Sequence, residues 1–352
     1  MHVNHEILHP NGSVAHQRWA QDRTLHVAVA YCNPYRWRAR QALFNDFRRH
    51  MSALPNVKLY VGELAYGERP FEVTSVNNPL DFQWRTREVL WHKENILNRV
   101  IERFDRDWVY GAYVDGDMNF PRWDIALETI EQLQLHEWVQ MFSTLIDVGP
   151  NREAMRLFKS FGKVFSESGS DGVAGYRGIK GEYDYGADAA GRVKRGMGMT
   201  GGAWAFRRGA FDACGGLLDT CILGSGDWHM SYGLVGEHVH HPETDNCGKP
   251  YIESIRIWQS RALAACRKNI GCADCHAVHG WHSSRDRRGY GTRWQILANN
   301  NYDPTRDIYR DSNGIYQLRP DRIKFRDEIR QYFKSRCEDD IQLSHDDKQA
   351  VK

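Results

Sequence analysis

Long apolar runs are missing from this 352-residue chain. No stretch approaches the roughly 20 consecutive apolar residues that a membrane-spanning helix needs. The first residues, Met1 to Arg23, are polar and rich in histidine, without the apolar segment of a secretory leader. Charge of one sign is missing too: 47 Lys and Arg against 45 Asp and Glu leave +2, so no global field steers the molecule toward a polyanion. Paired cysteine motifs are scarce, since the eight cysteines include one Cys-x-x-Cys, Cys272 to Cys275. These absences imply a soluble, cytoplasmic chain with reduced thiols and no membrane contact. An apolar share of 41% suffices for a large core, so one domain with insertions, or two closely joined, is expected.

What is present is organised around two aspartates. An apolar and aromatic run from Trp108 to Val114 stops on Asp115-Gly-Asp117, followed by Phe120 and Pro121. A buried strand ending on paired carboxylates presents hard oxygen ligands at the carboxyl edge of a sheet, where a divalent cation and phosphate oxygens can meet. The same pair also serves as a turn or helix cap, so the rest of the chain has to decide. Leu25 to Tyr31 and Val57 to Gly62 read as buried strands, with a helical pattern between them to about Met51. Phe82 to Phe104 reads as a helix, Trp123 to Leu135 as another, and Trp138 to Phe142 as a short strand. Strands alternating with helices predict an α/β sandwich around a mainly parallel sheet.

Residues 162–198 break this rhythm, being rich in Gly, Ser, Asp and Tyr without periodicity, and read as a mobile flap. Then come Gly201-Gly-Ala-Trp204-Ala-Phe206 and Gly224-Ser-Gly-Asp227-Trp228. Two glycines before a short apolar strand let a ligand approach the backbone. Asp227, in a glycine-flanked turn ahead of a helical pattern, reads either as an N-cap or as a carboxylate placed to take a proton from a hydroxyl.

Trp91-His-Lys-Glu-Asn-Ile-Leu-Asn98, the Asp115/Asp117 strand, the Gly201-Gly202 strand and the Asp227 turn occur in this order. Together they resemble nucleotide-sugar glycosyltransferases of the GT-A fold, over about residues 24 to 320. The nearest likeness is to the galactosyltransferase-like branch and its phage and bacterial relatives. One departure is that Asp227 stands alone, where that branch carries consecutive acids. The resemblance implies a Rossmann-like α/β/α sandwich with a tail at 1–23 and a catalytic domain at 24–336. Residues 24–135 would bind nucleotide-sugar, 136–336 would form the acceptor half and a C-terminal acceptor-side extension, and 337–352 would be a poorly ordered polar tail. It implies a hexosyltransferase with Mn²⁺ or Mg²⁺ and a UDP-sugar donor. Metal would be held by Asp115, Asp117 and His282, with His279 in the same His-Gly-Trp-His segment as the competitor. Ala30, Tyr31, Asn33, Arg36, Arg40, Lys93, Asp115, Gly201, Gly202 and Trp204 would contact the donor, and Asp227 would be the base of an inverting reaction or, in a retaining one, would hold the donor sugar.

Two further segments bear on partners. Cys266, Cys272, Cys275 and His276 crowd together and suggest a separate structural Zn²⁺, against which stands the reading as plain reduced thiols. Residues 283 to 326 hold ten Lys or Arg against five Asp, a local +5, interleaved with aromatics such as Tyr290 and Trp294. Such a stretch either tracks a nucleic-acid backbone or forms an ion-paired surface. Phage enzymes of this resemblance would act on 5-hydroxymethylcytosine or a related pyrimidine in DNA, flipping the base out to reach its hydroxyl. The alternatives are a cytoplasmic transferase of cell-surface polysaccharide and a non-catalytic nucleotide-sugar or DNA-binding protein.

Overall fold

A computed structural model describes residues 7–8, 14–15, 23–173, 184–188, 193–195, 198–237, 247–290, 292–345 and 347–348. After a small pair, β1 (Ile7–Leu8) and β2 (Val14–Ala15), the sheet begins with β3 (Leu25–Cys32). Helix α1 (Arg38–Ala53) leads to β4 (Val57–Tyr66) and β5 (Asp81–Thr86), and α2 (Lys93–Ile101) to β6 (Tyr110–Val114) and the short β7 (Met118–Asn119). Next come α3 (Ile125–Leu135), β8 (Trp138–Gln140), β9 (Thr144–Val148), β10 (Ala154–Lys159) and α4 (Phe161–Val173). Strands β11 (Asp184–Asp188), β12 (Val193–Arg195) and β13 (Ala203–Arg207) precede α5 (Arg208–Cys214), α6 (Gly226–Leu234) and α7 (Lys249–Cys266). The chain closes with β14 (Ile270–Cys272), β15 (His276–His279), α8 (Arg293–Asn299), β16 (Ile308–Arg310), β17 (Tyr316–Leu318) and α9 (Ile323–Ser335).

The main sheet has seven strands in the order β14-β8-β13-β6-β3-β4-β5. Only β13 runs against its neighbours, so the sheet is mainly parallel, as the alternation of strands and helices predicts. Its central strands are apolar on both faces because helices cover both. Along β3 the faces alternate: Val27 and Val29 pack on the α1/α3 side, Ala28 on the α2 side. Helix α1 offers Phe44, Phe47 and Met51 to the first layer; α2 offers Ile96, Leu97, Val100 and Ile101 to the second. Each fully buried side chain of that kind contributes roughly 1.5–3 kcal/mol. Gly62 lets α2 seat closely, since a Cβ there would collide with Ile96 and Val100.

A second sheet, in the order β12-β11-β10-β9-β15-β7, stands beside the first. Its importance lies in register: β15 runs between β9 and β7, with His279 opposite Asp147 on one side and Met118 on the other.

Three expectations change. Residues 81–86 are strand rather than helix, because Phe82-Gln-Trp84-Arg-Thr86 alternates with a period of two, burying Trp84 and Thr86 and exposing Arg85. Part of the anticipated flap is ordered as α4, broken at Gly169 with φ 60°, and as β11 and β12. The remainder of that flap, like most of the expected N-terminal tail, lies outside the described residues. The C-terminal segment is not loose either. Glu338 is 1% exposed and accepts from Arg40 Nε at 2.6 Å and Arg336 Nε at 2.9 Å, while Asp347 accepts from the buried Arg156 at 2.7 Å.

Glu338 thus holds two guanidinium groups together. Removing it by Glu338→Ala leaves both uncompensated, and a loss of about 3–5 kcal/mol is expected in urea unfolding. Burial raises the Glu338 carboxyl, but Arg40 and Arg336 outweigh it and hold it below its ordinary value. The contribution is therefore complete above about pH 4.3, the unfolded carboxyl's value, and is lost as pH falls through the lower folded one.

Candidate active site and metal centre

Parallel strands β3, β4 and β6 all end at one edge of the main sheet, and a cleft opens there. The antiparallel β13 begins at that same edge, with Ala203 opposite Val114, which brings the Gly201-Gly202 pair to the aspartates. Asp115 donates its backbone N–H to the Gly202 carbonyl at 2.8 Å. Gly202 has φ +96°, a conformation that favours glycine, and a Cβ on Gly201 would collide with the Asp227 carboxylate. Helix α6 starts at Gly226 after Ser225, itself left-handed at φ 71°, so Asp227 sits in the first turn and not at the cap. Its Oδ1 accepts the Trp228 N–H at 2.9 Å and the side chain lines the cleft.

The metal-ligating groups converge. Because β7 follows Asp117 directly and pairs with β15, His279 is delivered beside Asp117; Gly280 N–H bonds the Asp117 carbonyl at 2.9 Å and turns the chain so that His282 returns. Asp117 Oδ2 lies 3.6 Å from His279 Nε2 and 3.4 Å from His282 Nε2, and the two imidazole nitrogens are 3.3 Å apart. Among the described residues this is the one group of three His, Cys, Asp or Glu side chains arranged to hold an ion. His279 donates its other nitrogen, Nδ1, to Asp147 Oδ1 at 2.6 Å, the carboxylate–imidazole arrangement that fixes a metal ligand's orientation.

The charges of the three groups are strongly linked, and a metal ion bound by His279 would take the place of its Nε2 proton. Burial raises the Asp117 carboxyl, but His279 first of all outweighs it and holds it far below its usual range. Burial, and after it Arg288, pushes His282 well below its ordinary value. His279 is pushed up to about 10 against its own burial, because Asp117 and Asp147 flank it. A buried Asp117 Oδ1 has no partner, so the carboxylate retains ligating capacity. The mixed imidazole and carboxylate donors suit Mn²⁺ better than Mg²⁺.

Asp115 stands apart from this triangle. Its Oδ1 accepts from Lys93 Nζ at 3.0 Å, and Lys93 lies also 3.6 Å from Glu94. Burial lowers Lys93, but Asp115, Glu94 and Asp227 more than offset it, so it is a firmly charged ammonium among three carboxylates. Glu94, buried and raised to about 7 chiefly by burial, was not singled out in the sequence, nor was Asp147.

The other sequence candidates divide. Ala30, Arg40 and Lys93 line the cleft, although Arg40 is already paired with Glu338. Tyr31 and Asn33 instead line a neighbouring hollow and bond Glu72, at 2.6 and 3.1 Å. Arg36 is exposed and reaches the same Glu72 at 3.3 Å. Trp204 is a core residue on β13, its indole N–H donated to the Thr200 carbonyl at 2.8 Å, so it cannot contact a ligand in the cleft. The four proposed zinc ligands do not meet. Cys266 packs in one apolar cluster and Cys275 in another on the opposite face of the sheet, while His276 bonds Thr144. Among the described residues these side chains form no cluster that could hold an ion.

Part of the basic stretch 283–326 is ion-paired. Arg306 and Arg322 hold the fully buried Asp307, Arg310 holds Asp219, and Arg326 holds Glu88. Among the described residues, Arg288 and Arg293 of the same stretch pair with no carboxylate, and bond Ser283 and Ser225 instead.

Asp147→Asn is expected to leave the fold intact and weaken Mn²⁺ binding about 10- to 100-fold, measured by electron paramagnetic resonance titration. Unchanged affinity would mean that His279 is not a ligand.

No protein-family model matches the sequence, and no curated protein matches it. Among solved structures, a mannosyltransferase from Pyrobaculum calidifontis in complex with GDP-mannose and Mn²⁺ is similar to this chain, with 12% identity and a TM-score of 0.29 over 71% of this chain and 77% of that one. A likeness that distant assigns neither a family nor an activity.

Proposed function

We propose that this protein is a divalent-cation-dependent glycosyltransferase of the GT-A type, moving a sugar from a nucleotide-sugar to a hydroxyl acceptor. The observation that carries the reading is the meeting of Asp117, His279 and His282 in the same cleft as Lys93, Asp115 and Asp227. Asp117, His279 and His282 hold the cation, with Asp147 orienting His279. A bound divalent cation supplies charge neutralisation as the nucleoside diphosphate leaves. Pro34, Trp37 and Tyr66, at the ends of β3 and β4, bound the cleft where the nucleoside lies. Asp115, fixed by Lys93, accepts hydrogen bonds from ribose or donor-sugar hydroxyls. Asp227 accepts the proton of the attacking hydroxyl, which implies attack from the face opposite the leaving group and inversion at the anomeric carbon.

The test is incubation with Mn²⁺ and a panel of UDP- and GDP-sugars, reading release of free nucleoside diphosphate. A transferase releases it slowly even without acceptor; a binding protein releases none. Acceptor arms comprise DNA with and without 5-hydroxymethylcytosine, and polysaccharide fragments, with mass spectrometry of the products. DNA is one arm among these. Absence of turnover with every donor would overturn the enzymatic reading.

A further inference from the structure

The cleft extends past Asp227 to a wall formed by Ser225, Tyr290, Arg293 and Arg336. Arg293 is 7% exposed, and among the described residues no carboxylate pairs with it. Its guanidinium lies 5.1 Å from the centre of the Tyr290 ring, bonds the Ser225 hydroxyl, and leaves Nε without a partner. A Cβ on Gly224 would press against the same guanidinium, so the turn that carries Asp227 is shaped around it. Arg288, 6% exposed, repeats the pattern: Nη1 reaches the Tyr290 hydroxyl at 3.5 Å, Nη2 bonds the Ser283 carbonyl at 3.2 Å, and Nε has no partner. The Tyr290 ring is partly exposed, and against the desolvation of its phenol Arg288, Arg336 and Arg285 hold it below its ordinary value. Elsewhere in the molecule buried arginines have acids: Arg156 has Asp347 and Arg336 has Glu338. A buried guanidinium without a counter-charge is costly, and its natural complement is an oxyanion gripped by its planar fork.

We propose that Arg293, supported by Arg288 and Tyr290, forms an oxyanion subsite beside Asp227, separate from the donor diphosphate, that takes a phosphate or carboxylate group of the acceptor. The acceptor is on this view an anionic molecule whose hydroxyl is presented to Asp227 while its charge is held by the arginines. Assigning the anion to the acceptor rests on the donor reading above; the subsite itself does not.

The probe is inorganic phosphate, titrated calorimetrically into the full chain alone and with saturating UDP or GDP and Mg²⁺. Phosphate is expected to bind with the nucleotide already in place, and Arg293→Gln to weaken it about tenfold or more. Should that variant fail to fold, Arg293→Lys keeps the buried charge but loses the fork, and a weakening of about threefold is expected. Displacement of phosphate by nucleotide would show a donor-phosphate contact and overturn the proposal, as would wild-type affinity in the variants. Binding that disappears at moderate chloride and is indifferent to Arg293 would be adventitious and equally fatal. If no nucleotide binds at all, the donor reading fails, while the phosphate series in the Arg293 variants still decides the subsite.

Discussion

Asp117→Ala is expected to abolish Mn²⁺-dependent release of nucleoside diphosphate, with a loss on the order of 10³-fold or more. The size follows from the several kcal/mol that a divalent cation contributes at a departing diphosphate, each 1.36 kcal/mol being tenfold in rate. Asp117 is the carboxylate at which both imidazoles point, so its removal dismantles the triangle instead of loosening it. His282→Ala should act in the same direction. Two readouts go together: nucleotide release, and Mn²⁺ titration followed by paramagnetic resonance. A variant that keeps activity within tenfold and binds Mn²⁺ normally would remove this cleft from consideration as a metal centre.

Asp227→Asn is the second large effect, a fall in kcat of roughly 10²- to 10⁴-fold, the range for loss of a general base. The substitution is nearly isosteric, and the amide oxygen can still accept the Trp228 N–H, so α6 should begin as before. Nucleotide affinity with Mn²⁺ should stay within about threefold, because Asp227 is not among the converging metal ligands. If affinity for the nucleotide-sugar collapses while kcat holds, Asp227 grips the donor sugar instead, and inversion is no longer implied.

Much of the sheet was legible because buried parallel strands announce themselves as apolar runs: Leu25 to Cys32 and Tyr110 to Val114 can hardly be anything else. The edge strand at 81–86 was hidden because Val89, Leu90 and the apolar stripe of α2 follow closely at helical spacing, and the two periods blur together. At the site, Asp117 was readable from its position after a strand, and His282, with His279 as its competitor, from the resemblance of the His-Gly-Trp-His segment; that the two histidines converge together was not. Asp147 was not, since its partner is 132 residues away and only the register of β9 against β15 unites them. Tyr31, Asn33 and Arg36 misled for the opposite reason. They follow a strand that ends at the cleft, but the chain turns, and Glu72 collects their polar groups. Trp204 misled through period two: neighbours along a strand face opposite sides, and only one faces a ligand.

The Arg40–Glu338 pair has a consequence for biosynthesis. Its two halves are separated by 298 residues. At about 5–20 residues per second on the ribosome, the arginine waits roughly 15 to 60 s for its carboxylate. Until then the nascent chain carries a cation whose intended shelter has not been made, next to the strand that ends at the cleft. The pocket beside Arg40 therefore cannot take its final form until Glu338 has been translated.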